Sequence, residues 1–450
     1  MHRFLKEDTV LENNSFFRRT MAIAIPVALQ VLLQSSFSII DQIMVGKLGE
    51  NAIAAVEVGG KPGFVFVFVS GAVATVAGIM ISQYIGKEEE EKVHSSLSVN
   101  LLVMLVIALL TSLMCMLIPA QMVGIFTEDA KVISAGTGYV RIVGWGYPLS
   151  GIASILAVHI RCKDYAKYPL YSSAVAAVVN TLLNYCLIFG HFGFPQMGIN
   201  GAAIASLVSQ AVNLILMLFF YKRVATFRFD LSFTKQEWKQ YVVILLPIVA
   251  NELLWTIGQN INTFIYGHMG TGELAGMSLT GPVQGLFVGA LSGISQAAGI
   301  LIGKRLGEKE YELAYTESKK LCKYGFISSV ALSAVIVLLC RVYTGFFNVD
   351  ADVRTIGNAL LITFAILMPV KVANMILGGG IIRSGGRTKY IMIIDILGTW
   401  CVGVPLGLIT GLVLKMPIVW VYFILSQEEL VRLIITIFMF RSKKWMNTIA

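Results

Sequence analysis

The chain has 450 residues, 56% of them hydrophobic and 14% charged, with 35 Lys and Arg against 26 Asp and Glu, a formal charge of +9 and a mean hydropathy of +0.76. Soluble domains carry about 45–50% apolar and about a quarter charged residues, so this composition excludes an ordinary soluble protein and describes one that crosses a membrane many times. Six cysteines, Cys115, Cys162, Cys186, Cys322, Cys340 and Cys401, form no CxxC and no ligand spacing with His, and read as apolar filler without disulfide or metal.

An apolar run of about eighteen residues or more can cross a hydrocarbon core of about 30 Å as a helix, and only helices or closed barrels satisfy the backbone there. Twelve such runs follow one another, near 21–45, 53–82, 94–118, 132–158, 168–190, 199–221, 241–266, 274–302, 321–340, 355–382, 390–414 and 417–440. They are long and continuous, unlike the short alternating strands of an outer-membrane barrel. The first is too long for a signal-peptide core and leads into Asp41, so it is expected to be retained. Asn13-Asn14-Ser15 matches a glycosylation acceptor but falls on the side expected to be cytoplasmic, and is discounted.

Lysine and arginine orient the runs. With the amino terminus inside, 26 of the 35 fall in inside segments, 5 in outside turns and 4 (Lys61, Arg141, Lys371, Arg432) within spans. Both termini are therefore expected in the cytoplasm. The positive charge needs no nucleic acid as partner; it faces the anionic lipid of the inner leaflet.

The chain repeats itself. IPVALQ (25–30) aligns with LPIVAN (246–251) at an offset of 221, which brings Pro26 onto Pro247, Gly46 onto Gly267, Gly49 onto Gly270 and Gly86 onto Gly307, and RCKDYAKY (161–168) aligns with RSGGRTKY (383–390) at 222. Two halves of six spans both begin inside, so the repeat is parallel. The expected fold is an all-α polytopic membrane protein: twelve transmembrane helices in two six-helix bundles related by a pseudo-twofold axis along the membrane normal. Residues 1–20 and 441–450 are its cytoplasmic ends, 21–221 and 241–440 its bundles, and 222–240 the linker. Such an architecture suits alternating access by a transporter.

Gln30, Gln34, Ser38 and Asp41 stand at i, i+4, i+8 and i+11, on one face of the first helix. A polar stripe directed at lipid costs several kcal/mol, so this one is expected to face the bundle interior or a water-filled cavity. Ser173, Asn180 and Asn184 repeat the pattern on the fifth span. Asp41 lies about 9 Å below Lys47 at a rise of about 1.5 Å per residue, in the outer half of the membrane, and the depths of Asn180 and Asn184 agree. Asp41, Asn180 and Asn184 are therefore expected to meet, as an ion site or as an interhelical hydrogen-bond cluster.

The opening proline helix ending in DQIMVGKLG, the second span ending in SQYIGKEEEEK, the RCKDYAKY loop, the matching second half and the ending FMFRSKKW together resemble the multidrug and toxic compound extrusion (MATE) family, prokaryotic branch, over the whole chain. That resemblance implies export of organic cations and other amphipathic drugs in exchange for protons or sodium, with coupling at Asp41 and its partners Asn180 and Asn184. Some members carry an aspartate where this chain has Asn184, so one formal carboxylate remains here instead of two. The resemblance also implies no cofactor, a bacterial inner-membrane location and a monomer. Desolvation disfavours a charged carboxylate among amides and apolar walls, which lets it load and release a proton. One Asp and two Asn oxygens would alternatively begin a sodium site. The proton is the preferred ion.

Glu252, on a face with Trp255, Thr256 and Gln259, is the second-half acid most similar to those that some family members use for coupling. Lys371 and Asp395 lie at similar depth, so Lys371 is expected to pair with Asp395 or Glu252. Glu57 and Lys61 read as a local i, i+4 pair, Glu428, Glu429 and Arg432 as an ion cluster near the cytoplasm, and Gly281, Gly285, Gly289 and Gly293 as a face for close helix packing. Substrate-wall candidates are Gln34, Phe37, Phe64, Trp255, Gln259 and Tyr266, since aromatic and flexible apolar groups adapt to varied shapes and hold cations. No GxxxxGK[ST], HExxH or GxSxG occurs, which argues against a P-loop pump or a hydrolase. A lipid-linked-saccharide flippase of the wider superfamily would carry two further helices.

The charge bias makes a topological prediction. A reporter fused after Ala450 should read cytoplasmic and one inserted in the 191–198 turn external; an external carboxyl terminus would remove the basis for an even number of crossings.

Overall fold

The structure is a computed structural model describing residues 2–347 and 349–449, with side chains from Ser15 onward. Asn13 and Asn14 of the acceptor pattern and the terminal Ala450 lie outside the residues so described.

Among the described residues all regular structure is helical: α1 (His2–Gly46), α2 (Glu50–Gly86), α3 (Glu90–Leu117), α4 (Pro119–Gly124), α5 (Ala130–Gly144), α6 (Gly146–Cys162), α7 (Lys167–Phe189), α8 (Gly198–Val224), α9 (Lys235–Met269), α10 (Thr271–Gly307), α11 (Tyr311–Gly345), α12 (Ala351–Asn374), α13 (Thr388–Gly398), α14 (Val404–Leu408), α15 (Ile418–Leu425) and α16 (Glu428–Arg441). The helix of α12 continues through Met375–Ile382 with a wider π winding, where three consecutive glycines, 378–380, relax it; α13 and α14 are likewise joined by Thr399–Gly403 and extended by Ile409–Val413. Ten of these helical stretches are long and apolar enough to cross a membrane, and α5 with α6, bent by 41°, makes an eleventh crossing. The twelfth expected run is divided at Ser426–Gln427 into α15 and α16, and the charges of Glu428, Glu429 and Arg432 follow the break. Leu117, Leu338 and Phe438 remain 69%, 76% and 70% exposed. Apolar flanks of this kind match a hydrocarbon solvent.

Packing sorts the chain into two compact units. One comprises Leu29–Ile81 and Glu89–Lys235; the other comprises Met1–Ala28, Ser82–Glu88 and Gln236–Ala450. The sequence repeat is visible within them as repeated bonds. In the first unit Ser112 Oγ donates to Gly144 O at 2.6 Å, and in the second, 221 residues later, Ser333 Oγ donates to Ala365 O at 2.7 Å. Gln30 Nε2 donates to Ser173 Oγ at 2.8 Å; the equivalent Asn251 Nδ2 donates to Asp395 Oδ2 at 2.7 Å. Left-handed turn residues recur too, at Glu88 (φ 59°) and Lys309 (φ 62°), and at Asp164 (φ 69°) and Gly386 (φ 71°). Glu57 and Lys61 form the expected local pair at 2.6 Å.

Within the second unit the end of α2 packs backbone to backbone on α10. A Cβ at Gly86 would fall 2.1 Å from Lys304 O, and one at Gly307 would fall 2.1 Å from Gln83 O. The Gln83 amide also donates to Ser384 O at 2.6 Å and accepts from Ile449 N at 2.7 Å, which joins this contact to the carboxy-terminal tail and its fully buried Trp445. The expected glycine face of α10 is only partly of this kind. Gly293 meets Ala24 O at 2.2 Å by the same measure, whereas nothing lies within 4 Å of a Cβ at Gly281 or Gly285. Small residues favour close helix packing only where a partner backbone arrives.

Gly86→Ala should therefore lower stability by about 1–3 kcal/mol, the usual cost of overpacking, seen as a fall in melting temperature in detergent. Gly71→Ala, with no atom within 4 Å of the added carbon, serves as the control and should melt with the parent.

Candidate functional site

The first unit brings together the three residues expected to meet. Asn184 Nδ2 donates to Asp41 Oδ1 at 2.6 Å. Asn180, with its amide nitrogen turned to the carboxylate, donates to Asp41 Oδ1 and Oδ2 at 2.9 and 3.1 Å, and its oxygen then accepts from Ser206 N at 3.3 Å. Asp41 is half-buried and both asparagines are buried. Asn184 Oδ1 is buried with no hydrogen-bond partner among the described residues. Tyr139 of α5 stands close enough to interact electrostatically with the carboxylate.

Local sequence explains the placement. Asn180 and Asn184 are one helical turn apart on α7, which ends at Gly190 in a left-handed cap (φ 76°) that suits glycine. At Gly201 a Cβ would come within 2.6 Å of Leu187 O, so glycine there lets α8 lie against α7. Just beyond Asp41, Val45, Ala52, Ile188 and Ala202 form a buried apolar cluster that fixes the turn between α1 and α2 onto α7 and α8. Earlier on the same stripe, Gln30 holds Ser173 and accepts from Arg161 Nη2 at 3.2 Å. Gln34 and Ser38 are exposed.

The second unit holds a different cluster. Arg432 donates to Asp395 Oδ1 through Nη2 and, at 2.8 Å, through Nε; its Nη1 lies 3.4 Å from Glu429 Oε1. Lys371 stands 4.0 Å from Glu429 Oε1, and Asn374 Nδ2 donates to Glu429 Oε2 at 2.8 Å. The expected pairing of Lys371 with Asp395 or Glu252 is thus corrected: Arg432 takes Asp395, because a forked guanidinium reaches two carboxylates at once and a single ammonium does not. Of the expected ion cluster, Glu429 and Arg432 are paired; Glu428 lies about 20 Å along the helix from the Arg441 end of α16, by its rise, and both glutamates are buried.

Two cavities flank this cluster. One of about 370 Å³ is lined by Glu252, Trp255, Lys371, Arg383 and Asp395 among others, and the Glu252 carboxylate makes no ion pair among the described residues. The other, of about 270 Å³, is lined by Gln259, Asn262, Tyr266, Tyr422, Glu428 and Glu429 among others. The wall candidates are therefore divided. Trp255, Gln259 and Tyr266 line cavities of the second unit, while Gln34, Phe37 and Phe64 belong to the first, where Phe64 is half-exposed and stacks on Phe68 at 6.4 Å. Sequence reasoning missed Tyr139 and Ser206, for which periodicity offers no signal. It also missed Asn251, which the repeat already set opposite Gln30.

The sequence model of the MatE family matches residues 26–186 and 247–409, two segments that begin at the repeat-related Pro26 and Pro247. The chain is 24% identical over 446 residues to an uncharacterized transporter, YisQ, of Bacillus subtilis, covering 96% of this chain and 95% of the relative. It is 24% identical over 428 residues to the multidrug resistance protein MdtK of Photorhabdus laumondii, covering 92% and 89%. The crystal structure of a mutant of the Vibrio cholerae MATE transporter VcmN superposes with a TM-score of 0.88 at 16% identity, over 96% of this chain and 99% of that one. The all-α fold of twelve transmembrane helices in two bundles is shared with such transporters.

Arg432→Met should strand Asp395 and Glu429 as buried carboxylates without their shared cation, at a cost of about 3–5 kcal/mol, and lower the melting temperature accordingly. Lys371→Met removes a longer contact from a side chain that is 40% exposed and should cost below about 1 kcal/mol. Equal melting of the two variants would show that Arg432 does not hold the cluster.

Proposed function

The chain belongs to the MatE family, whose members are multidrug efflux transporters and not enzymes, and on that premise we propose that it exports amphipathic, often cationic organic compounds in exchange for protons by alternating access. It does so as a monomer in the bacterial inner membrane with both termini cytoplasmic. The observation that carries this reading is the Asp41 cluster: one half-buried carboxylate approached by the amides of Asn180 and Asn184.

Those donors stabilise the ionised carboxylate without neutralising it. A proton arriving from outside converts Asp41 to a neutral acid, changes which of these bonds can form, and so favours a differently packed α1. Pro26, inside that helix, lacks the backbone N–H of its turn and supplies a place to bend. Cycling between the two packings couples proton entry to drug release. Sodium is the second reading. Asn184 Oδ1, buried and unpartnered beside the carboxylate, is a hard acceptor that a sodium ion could use. Against it, Asn184 turns its nitrogen rather than its oxygen toward Asp41, and a metal ion shared by the two side chains would require that amide to reverse.

Drug export from everted vesicles under an imposed proton gradient, and separately under a sodium gradient, distinguishes the two. The parent should export under the proton gradient. Asp41→Asn, present in the membrane at equal level, should lose at least about tenfold in initial rate, as expected when the exchanging charge is removed. Glu252→Gln should lose less than Asp41→Asn. Resistance of the Asp41→Asn variant equal to the parent's would leave Asp41 a structural residue, and a larger loss at Glu252 would move coupling into the second unit.

A further inference from the structure

The second unit contains the end of a helix from the other half of the repeat. Most of α2 packs in the first unit, but Ser82–Glu88 pack in the second, against α10 and against the chain that follows α16. That chain, residues 442–449, is itself firmly held. It turns through a left-handed residue at Lys443 (φ 58°), and the buried Trp445 then folds back on α16. Trp445 Nε1 donates to Phe440 O at 3.0 Å, and its ring stacks on Phe440, which stacks in turn on Tyr315 of α11 at 4.8 Å. The Trp445 carbonyl fits because residue 385 is glycine; a Cβ there would overlap it. Thr448 Oγ1 and Tyr311 OH share a hydrogen bond of 2.8 Å. The tail is thus fixed to second-half elements at Phe440, at Gly385 and at Tyr311.

Its other side holds α2. The fully buried Gln83 accepts from Ile449 N and donates to Asn447 O at 3.3 Å, and one helical turn on, Lys87 Nζ donates to Ile449 O. Ile449 therefore both gives a bond to α2 and receives one from it. The repeat does not require this reach. At the equivalent place in the first half, where α8 ends, Val224, Ala225 and Thr226 line a cleft with His94 and His159, and Asp230 N donates to Ser98 Oγ at 3.0 Å, all groups of that same half. The two kinds of contact at the end of α2 also differ in how they part. Glycine faces such as those of Gly86 and Gly307 separate without stranding a polar group, whereas the bonds of Gln83 and Lys87 to the tail must be exchanged for bonds to water.

We propose that the segment from Trp445 to Ile449 is a strap that holds the end of α2 on α10, and that Ile449 must leave Gln83 and Lys87 each time this contact opens. The proposal rests on the alternating-access reading, in which the two ends of the protein open in turn, and gives the tail the closing of this end.

Opening is read in the purified full-length protein by a Ser82→Cys reporter, since Ser82 is buried and its Oγ lies against Gly303. The rate at which a water-soluble maleimide labels residue 82, measured by mass spectrometry, follows exposure of that face. Ile449→Pro removes the N–H that Gln83 accepts, and Lys87→Met removes the donor to Ile449 O; each, added to the reporter, should raise the rate severalfold, and the two together at least about tenfold. Lys443→Met alters the tail's contacts with Glu312 and Tyr315 but none with α2, and should label as the reporter alone does. Cys340, 3% exposed in the same unit, should label at one slow rate throughout, which separates release of α2 from general loosening. The strap is overturned if the Lys87→Met, Ile449→Pro pair labels residue 82 at the reporter's rate, if Cys340 labelling rises in step with residue 82, or if Lys443→Met gains as much as Lys87→Met. The alternating-access reading fails by a different result: the reporter's rate at residue 82 staying the same when the amphipathic cation tetraphenylphosphonium is added, whatever the tail variants do.

Discussion

A polar side chain inside a hydrocarbon slab has no water to turn to, and the interior of this protein is arranged around that lack. Every polar group brought to mid-span must meet another, from its own helix or a different one, or leave an orphan. Gln30 meets Ser173, Asn251 meets Asp395, and Asp41 meets Asn180 and Asn184, so the helices that carry these groups are held at the spacing of a hydrogen bond. Van der Waals packing through glycines such as Gly86 and Gly201 then closes the remaining distance.

Duplication turned one solution of this problem into two that have since diverged. The bonds of Ser112 and Ser333 are the same bond twice, and the turns at Glu88 and Lys309 the same turn. Where Gln30 binds a serine, its counterpart Asn251 binds Asp395, and that acid brings in Arg432. Where the first half has Asp41 the second has Asn262, and Glu428 and Glu429 stand nearby. The repeated backbone frame thus carries two polar interiors of different charge: a single carboxylate among amides in one, and a network of ion pairs in the other.

Orphans are informative against such a background. Among the described residues, Asn184 Oδ1 is a buried oxygen that the protein leaves without a partner at the Asp41 cluster. Exposed apolar walls and the aromatic groups lining the second unit's cavities are compatible with amphipathic cargo, whose apolar body needs no fixed partner.

The sequence by itself determined the solvent, the number of crossings, the repeat and the meeting of Asp41 with Asn180 and Asn184. Composition, run length and helical spacing act along the chain, and two stripes at equal depth on two helices leave their partners little choice. It did not determine which of several charges at similar depth would pair. Lys371, Asp395 and Glu252 lie within reach by rise alone, and only rotation about each helix axis and the reach of a guanidinium against that of an ammonium assigned Arg432 to Asp395 and Lys371 to Glu429. The same holds for the glycines of α10, where Gly293 meets a backbone and Gly281 faces a cavity. Periodicity gives the face a residue occupies. What stands opposite that face is decided by tertiary packing, since the neighbours come from segments a hundred or more residues away whose azimuths no local pattern records.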